Sequence, residues 1–362
     1  MNSFDIAPLL RGHTFNGTSS AIVHHVEHLD QPELTCTYEQ LASQLTPTTR
    51  SVHIKEVGFF RIGADYDDAV NGTSHAPHAS GRAATVHNRV AVVTGGAQGF
   101  GEGIVRGLCD QGALVFIADL NLEGAETLAH ELNQKAGRTT ALPLACNVTD
   151  EASVQSMIQS IVQQVGGIDL FISNAGVLKA GSVKTLSKAD FEFVTDVNYL
   201  GFFLCTKHVA PIMERMNRPS GNYATDIISI TSKSALEGSN RNAAYAGSKF
   251  GSIGLVQSFA KELVEDRTKV NTVCPGNFFD GPLWSDPTTG LFVQYLESGK
   301  VPGAQTIEDV RRHYEAQIPM GRGCSSNDVL KAILYLVEQQ YETGQALPVT
   351  GGQVMLNYRK MK

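Results

Sequence analysis

From about residue 89 onward, short apolar runs alternate along the chain with amphipathic stretches. The strand-like runs are residues 89–93, 114–118, 139–144 and 168–172. Most of them are almost continuously apolar, as expected of strands buried on both faces. Helix-like stretches at 102–108 and 151–165 separate them, the second after a candidate N-cap at Asp150. This alternation predicts an α/β domain with a doubly wound parallel sheet and ligands at the carboxyl ends of its strands.

The first 88 residues lack this alternation and hold eight of the eleven histidines. Residues 38–45 suggest a short helix, residues 51–63 suggest strands around Gly58, and residues 71–85 are typical of a linker. Few apolar residues are available for an independent core, so we expect this segment to pack on the rest of the chain or on a neighbouring subunit. The predicted organisation is an N-terminal extension of unknown role, residues 1–88, and a catalytic domain, residues 89–362.

A glycine-rich turn follows the first strand of the domain. Residues 94–101 read Thr-Gly-Gly-Ala-Gln-Gly-Phe-Gly and lead directly into a helix-like stretch. Glycines allow a tight turn and a close backbone approach, and free N–H groups at a helix start can bind a diphosphate. The predicted cofactor contacts in this turn are Gly95, Gln98, Gly99, Phe100 and Gly101. The alternative is a glycine loop that is merely flexible.

An acidic residue, Asp119, ends the second strand of the domain. A carboxylate at that position suits the two hydroxyls of an adenosine ribose and repels a 2′-phosphate. The sequence therefore favours NAD over NADP as the cofactor. The alternative is an ordinary exposed aspartate at a strand end.

Tyr245 and Lys249 are four residues apart, and Ser232 lies thirteen residues before the tyrosine. On a helix, side chains at i and i+4 lie on one face about one turn apart. An ammonium group beside a phenol favours the phenolate and lowers the pKa of the tyrosine. The spacing alone is common on helices, so its meaning depends on the accompanying motifs.

Taken together, these motifs resemble the short-chain dehydrogenase/reductase family from about residue 88 to the C-terminus. The matching positions are residues 94–101, Asp119, residues 174–176 (Asn-Ala-Gly), Asn198, Ser232, Tyr245, Lys249, Pro275 and Gly276. The resemblance implies a Rossmann-like fold and a nicotinamide cofactor that transfers hydride.

The resemblance also implies a role for each catalytic residue. Tyr245 would act as general acid and base, Ser232 would polarise the substrate oxygen, and Lys249 would lower the Tyr245 pKa and bind the nicotinamide ribose. Asn198 would hold a water in a proton relay to the lysine. The further implied cofactor contacts are Asn147, Val148, Asn174, Ala175, Gly176, Tyr245, Lys249, Pro275 and Gly276.

Three positions depart from the family pattern. Asn147 stands where an aspartate usually contacts the adenine, and Ser173 replaces the commoner asparagine. Asp280 stands where a threonine often touches the nicotinamide carboxamide. Only Asp280 puts a function in doubt, namely how the nicotinamide is held.

Within the family, three segments of the C-terminal third resemble the sorbitol-6-phosphate 2-dehydrogenase subgroup. They are residues 274–284, 318–324 and 349–355. This resemblance implies interconversion of D-sorbitol 6-phosphate and D-fructose 6-phosphate with NAD. The alternatives are a family member for another sugar, polyol or ketose phosphate, and a non-catalytic NAD-binding sensor or scaffold.

An anionic substrate would be served by four polar residues expected at the pocket mouth. They are Lys179, Lys233, Arg241 and Asn242, of which Lys179 and Lys233 are the first candidates for the phosphate. For each of them, the alternative is a solvated surface group. Residues 283–317, with Trp284, Phe292, Tyr295 and Tyr314, are expected to form a helical lid over the substrate.

Charge and composition limit the partners. The formal net charge is −7 and no basic block stands out, which argues against nucleic acid and anionic membranes. Six scattered cysteines are expected to be reduced thiols in a cytoplasmic protein without a membrane span. His24 and His28 have the i, i+4 spacing of a metal pair without further ligands, so no metal is predicted. The family resemblance implies a homo-oligomer, commonly a tetramer.

Overall fold

The computed structural model describes residues 2–75, 85–222 and 224–354. Its strands are β1 (Ile22–Val26), β2 (Leu34–Cys36), β3 (Ser51–Ile54), β4 (Gly58–Gly63), β5 (Val90–Thr94), β6 (Leu114–Asp119), β7 (Ala141–Ala145), β8 (Leu170–Ser173), β9 (Thr225–Ile230), β10 (Thr268–Pro275) and β11 (Ala346–Val349). Its helices are α1 (Ser3–His13), α2 (Tyr38–Gln44), α3 (Tyr66–Asn71), α4 (Gly99–Asp110), α5 (Leu122–Ala136), α6 (Glu151–Val165), α7 (Lys188–Thr195), α8 (Gly201–Asn217), α9 (Ala243–Leu263), α10 (Pro282–Ser285), α11 (Leu291–Glu297), α12 (Ile307–Glu315) and α13 (Ser326–Glu338).

Within these described ranges, a seven-stranded sheet forms the centre of the domain, in the order β11-β10-β9-β8-β5-β6-β7. Every pairing in it is parallel. The order reverses at β5, whose neighbours are β6 and β8. The predicted doubly wound, Rossmann-like α/β fold is therefore confirmed, and ligands are expected where the order reverses.

Both faces of this sheet are covered by helices, which explains the continuous apolar runs in the sequence. Along β5, Val90 and Val92 point to one core, and Ala91 and Val93 point to the other. Helices α6, α8 and α9 cover the first face, and α4, α5 and α13 cover the second. A strand that is apolar on both sides can only be stable between two such layers.

The predicted element boundaries hold to within a few residues. The predicted helix at 102–108 is longer and begins at Gly99, because the last glycines of the turn are already helical. Helix α6 begins as predicted, and the Asp150 carboxylate accepts a hydrogen bond from the Ala152 N–H at 3.0 Å.

The N-terminal residues form a second, smaller sheet in the order β1-β4-β3-β2. Helix α2 lies where the sequence predicts it, and so do β3 and β4, the second of which begins at Gly58. Helices α1 and α3 and strands β1 and β2 were not anticipated. His24 lies on β1 and His28 lies two residues beyond it, so their spacing is not that of a helical pair. No group of three potential metal ligands occurs in the described ranges. Residues 76–84 of the predicted linker lie outside them.

This smaller sheet and α1 pack directly on the main domain. Helix α1 contacts α6 and α8, and β1 contacts α6. At Gly12 of α1 the approach is so close that an added Cβ would lie 2.2 Å from the Met216 carbonyl oxygen. Ile6, Leu10 and Val23 thereby join the same apolar core as α6 and α8. The extension has too few apolar residues for a core of its own, and it buries those it has against the domain.

One ion pair crosses this contact at full burial. Arg11 of α1 donates to the Asp169 carboxylate at 2.7 Å, and both side chains are almost completely removed from solvent. Arg11 also donates to the Ala21 carbonyl at 2.6 Å, and Asp169 also accepts from the Val90 N–H at 2.6 Å. The pair therefore joins α1 to the amino-terminal end of β5. A partner that loses its counter-ion here would be a buried, uncompensated charge.

None of the helices in the described ranges is both long enough and apolar enough to cross a bilayer. The six cysteines are free thiols, five of them buried and Cys324 partly exposed.

Arg11→Met tests whether the extension stabilises the domain. We expect a loss of about 3–5 kcal/mol in the free energy of unfolding, because Asp169 would stay buried without its partner. Chemical denaturation monitored by circular dichroism measures it. Arg215→Ala is the matched control, since Arg215 of α8 meets Asp5 of α1 in a partly exposed pair at 3.3 Å, worth less than about 1 kcal/mol. Equal losses in the two variants would contradict the account.

Candidate active site

A deep cleft opens at the carboxyl ends of the central strands and has a volume of about 1060 Å³. The lid helices α10 and α11 form its far wall. Most of the residues that the sequence singles out line this cleft. They are Gly95, Gln98, Gly99, Phe100, Asp119, Asn147, Val148, Asn174, Ala175, Gly176, Lys179, Ser232, Lys233, Asn242, Tyr245, Lys249, Pro275 and Gly276. Gly101, Asn198 and Arg241 do not line it, and their positions are described below.

The glycine turn has the backbone geometry that a diphosphate requires. Gly95 and Gly99 have positive φ values of 61° and 62°, a region that other residues rarely adopt. A Cβ on Gly95 would lie 2.9 Å from the Cα of Ala175, so the two loops could not approach with a larger residue. Helix α4 starts at Gly99 and directs the N–H groups of its first turn toward the cleft. The turn therefore fits the diphosphate of a dinucleotide.

Asn174 and Gly101 hold this turn in place. The Asn174 amide donates to the carbonyls of Thr94 and Gly95, at 3.1 Å and 2.9 Å. Gly101 lies behind the turn, where a Cβ would meet the Gly95 carbonyl oxygen and, at 2.7 Å, the Asn174 amide nitrogen. Gly101 thus permits the close packing of α4 on the turn and does not line the cleft.

Asp119 stands at the end of β6 with both carboxylate oxygens engaged. One accepts from the Ala97 N–H and the other from the Asn121 N–H, each at 2.9 Å. The carboxylate is therefore fixed at the edge of the cleft, and it has further lone pairs for hydroxyl donors.

Asn147 lies nearby on the loop after β7. Its side-chain amide oxygen accepts from the backbone N–H and the hydroxyl of Thr149, at 3.1 Å and 2.9 Å. The amide NH₂ remains as its donor toward a ligand. Val148 is buried against Gly201, where a Cβ would lie 2.9 Å from the valine side chain.

Ser232, Tyr245 and Lys249 meet in the cleft. The Lys249 ammonium lies 5.8 Å from the centroid of the Tyr245 ring and donates to the Ile230 carbonyl at 2.9 Å. Burial lowers the pKa of Lys249 to about 8. Burial also raises the pKa of Tyr245, and a hydrogen bond with Ser232 opposes that rise. The pKa of Tyr245 is therefore raised and not lowered as its spacing to the lysine leads one to expect, because burial outweighs the hydrogen bond with Ser232.

Asn198 lies in one turn of π-helix, Asp196–Leu200, between α7 and α8. Its amide oxygen accepts from the Val177 N–H at 2.8 Å, and its amide nitrogen donates to the Val177 carbonyl at 2.9 Å. Gly176 lies close to both Asn198 and Lys249, since a Cβ at this position would lie 3.3 Å from the Asn198 side-chain oxygen and 3.4 Å from the lysine nitrogen. Asn198 is thus buried behind the cleft wall, next to Lys249. A π-turn of this kind often marks a functional site.

The predicted substrate residues separate into different environments. Lys179 is exposed at the cleft edge, whereas the Lys233 side chain is only 17% exposed. Asn242 is buried at the start of α9. Arg241 has a positive φ of 59°, and its guanidinium donates to the Ser298 carbonyl, which ties α9 to the lid.

Lys300 is a cleft residue that the sequence reasoning missed. It follows α11 within the lid, and its ammonium lies 3.9 Å from the centroid of the Tyr295 ring. Burial and the nearby cations Lys233 and Arg241 lower the pKa of Lys300 to about 8. The sequence shows Lys300 only as a lysine within an aromatic-rich predicted lid. It does not show that this lysine lies beside Lys233.

The lid itself forms as predicted, from α10, α11 and α12. Trp284 packs edge-on against Tyr295 and Tyr314, with ring centroids 5.6 Å and 5.0 Å away. Together with Phe279, Phe292 and Tyr245 these rings form an apolar cluster of their own. Asp280, one of the three departures, is paired with Arg311 of α12 at 3.0 Å and is largely exposed.

A family model for short chain dehydrogenase matches residues 89–284, so the chain belongs to that family. The protein is therefore an oxidoreductase that acts on alcohol groups and uses a nicotinamide cofactor. Sorbitol-6-phosphate 2-dehydrogenase of Escherichia coli is 33% identical over 270 residues, which are 74% of this chain and 99% of that protein.

Two solved structures extend the comparison. The crystal structure of sorbitol-6-phosphate 2-dehydrogenase from Erwinia amylovora has a TM-score of 0.68 and 36% identity, covering 74% of this chain and all of the other. A 3-ketoacyl-(acyl-carrier-protein) reductase from Brucella melitensis, complexed with NADH, has a TM-score of 0.63 and 25% identity, covering 74% of this chain and 99% of the other. These relatives are covered almost completely, while about a quarter of this chain lies outside each match.

Asp119→Asn tests the cofactor preference. It keeps the size and shape of the side chain and removes its charge. The amide oxygen can still accept from one of the two backbone N–H groups, of Ala97 or Asn121, whereas the amide nitrogen cannot accept from the other. We expect the Kd for NADH to rise and the preference for NADH over NADPH to fall by about tenfold, the effect of one lost charge-assisted contact. Fluorescence titration with both cofactors measures the ratio. An unchanged ratio would remove Asp119 from cofactor selection.

Proposed function

We propose that this protein interconverts D-sorbitol 6-phosphate and D-fructose 6-phosphate, with NAD as the hydride carrier. The carrying observation is that one cleft holds a hydroxyl pair, Ser232 and Tyr245, and a group of cations at its mouth. The hydroxyl pair suits a carbonyl or alcohol, and the cations suit a phosphate. The similarity to two sorbitol-6-phosphate 2-dehydrogenases supports the same substrate.

In the direction of reduction, Tyr245 donates its phenolic proton to the C2 oxygen of the ketose. Ser232 donates a hydrogen bond to the same oxygen and stabilises the charge that develops there. The phenolate left on Tyr245 is stabilised by Ser232 and by the buried Lys249 ammonium. In the opposite direction, the phenolate takes the proton of the C2 hydroxyl. When bound, the nicotinamide supplies or accepts the hydride at C2.

Asn198 has a positioning role in this proposal. Its amide holds the Val177 backbone in place. Its buried side chain lies next to Gly176, which has no side chain and so leaves room for the Lys249 ammonium. It would also hold the water through which the lysine exchanges protons, as the family resemblance implies. Asn198 therefore acts through Lys249 and not on the substrate.

Cofactor binding would use the glycine turn and the carboxyl end of β6. The N–H groups at the start of α4 would bind the diphosphate, and Asp119 would accept the ribose hydroxyls. Asn147 and Val148 would border the adenine, and Pro275 and Gly276 would border the nicotinamide. NAD is proposed over NADP because the fixed carboxylate of Asp119 would repel a 2′-phosphate.

The organisation and assembly of the protein follow the same reasoning. We infer that residues 1–88 are an extension, whose described part packs on the dehydrogenase domain of residues 89–362. A homo-oligomer, a tetramer by resemblance, is supported by exposed apolar side chains on α8 and α9 and just beside them: Leu200, Phe203, Phe250 and Val264. A molar mass by light scattering tests it. A cytoplasmic location and partners limited to small molecules and copies of this chain stay predictions.

NADH oxidation by the purified protein tests the substrate. Fructose 6-phosphate is compared with fructose, sorbose and other ketose phosphates at matched concentration. We expect the highest kcat/KM with fructose 6-phosphate. A higher kcat/KM with another ketose would contradict the proposed substrate but not the proposed type of reaction. NADH binding without any turnover would contradict the proposal that the protein is an enzyme.

Tyr245→Phe tests the proton donor. We expect kcat to fall by at least ~10², the contribution of a lost general acid, because the ring is kept and only the hydroxyl is removed. NADH binding should change little. Tyr341→Phe, at a tyrosine that is 98% exposed, controls for the loss of a hydroxyl elsewhere. Turnover retained by Tyr245→Phe would exclude Tyr245 as the acid.

A further inference from the structure

The lid carries one cation into the cleft. Lys300 follows α11, and its ammonium stands 3.9 Å from the centroid of the Tyr295 ring. Asn242 completes its surroundings. With its amide nitrogen donating to the Arg241 carbonyl at 2.8 Å, the Asn242 oxygen accepts from the Tyr295 hydroxyl at 2.8 Å and from Lys300 at 3.2 Å. The lysine is therefore held on a fixed platform and does not extend freely into solvent.

The charges around Lys300 are unbalanced. The charged groups that act on it are the cations Lys233 and Arg241. Lys233 has one acidic neighbour, Glu237, which is 3.9 Å away and mostly exposed. No carboxylate of the described residues forms an ion pair with Lys300. A partly buried Lys300 without a carboxylate partner, next to Lys233 whose one partner is mostly exposed, is unfavourable alone, and an anion in the cleft would stabilise both ammonium groups.

This cationic pair lies at a suitable place relative to the reacting hydroxyl. Tyr295, which supports Lys300, is bonded to Asn242 at the start of α9, and Tyr245 lies three residues further along the same helix. Lys233 directly follows Ser232. Lys233 is thus adjacent in the chain to Ser232, and Lys300 is linked through Tyr295 and Asn242 to the helix that carries Tyr245. All of these residues line one cleft.

We propose that Lys300 and Lys233 together bind the phosphate of the sugar phosphate, so that the lid itself recognises phosphorylated substrates. This inference rests on the proposed function and names the part of the cleft that selects its substrate. Lys300 would contact the phosphate from the lid and Lys233 from the turn after β9. The substrate would then extend between the two lysines and Tyr245, with its C2 oxygen at the hydroxyl pair.

The other candidates for this role are less suitable. Lys179 is exposed at the cleft edge, where water and salt weaken an ion pair. Arg241 already donates to the Ser298 carbonyl and does not line the cleft. Its effect on a phosphate is that of a nearby charge, without a direct hydrogen bond.

Substrate discrimination tests the proposal. We compare Lys300→Met and Lys233→Met, which keep an apolar stem and remove the charge, with Lys184→Met at an exposed turn as the control. The measured quantity is kcat/KM for fructose 6-phosphate divided by kcat/KM for fructose. We expect at least a tenfold fall of this ratio in each cleft variant, as for a lost charge-assisted bond. An unchanged ratio in both, in an enzyme that reduces fructose 6-phosphate, overturns the phosphate site and leaves the proposed function intact.

A binding measurement separates this site from the proposed reaction. Trp284 is the single tryptophan of the chain, and its ring centroid lies 5.6 Å from that of Tyr295, so its fluorescence reports on the Lys300 platform. Titration of the wild type with inorganic phosphate is expected to give a saturable change, with a Kd at least tenfold higher in Lys300→Met. A saturable change in a protein inactive on fructose 6-phosphate would support the site and contradict the function. No saturable change in the wild type would overturn the site.

Discussion

The parallel pairing of the central strands is the constraint on which the rest of this structure depends. Because β5, β6, β8, β9 and β10 all run in one direction, their carboxyl ends and the loops that follow them meet at one edge. The glycine turn after β5 then lies against the loop after β8, close enough that Gly95 must be a glycine. Ser232 follows β9, and α9 brings Tyr245 and Lys249 to the same place. The cleft is a consequence of this register.

Buried charges are used differently at the two ends of the sheet. At the amino-terminal end they are paired: Arg11 with Asp169, and Lys269 with Asp226 at 3.0 Å. These pairs fix the extension and the strands in place. At the carboxyl end the cations Lys249 and Lys300 have no carboxylate partner among the described residues, and burial lowers the pKa of each. Unbalanced buried charge is a feature of binding and catalytic sites.

The elements and site residues that could be predicted from the sequence are those whose pattern lies within a short stretch of the chain. The strands, the glycine turn, Asp119 and the Tyr245–Lys249 pair have local patterns, and the structure places all of them at one edge. Helix α1 escaped prediction because its buried face includes Arg11 and Gly12, which are explained only by Asp169 and Met216 of the main domain. Lys300 escaped it because a lysine becomes a cleft residue only through the fold of the lid. The Tyr245 pKa could not be predicted because it depends on burial.

The most direct test of the central claim follows the hydride itself. The purified protein is incubated with fructose 6-phosphate and NADH that carries deuterium at both C4 positions, and the product is analysed by NMR and mass spectrometry. We expect sorbitol 6-phosphate with one deuterium, bonded to C2. A polyol without deuterium at C2, or no polyol from fructose 6-phosphate, would contradict it.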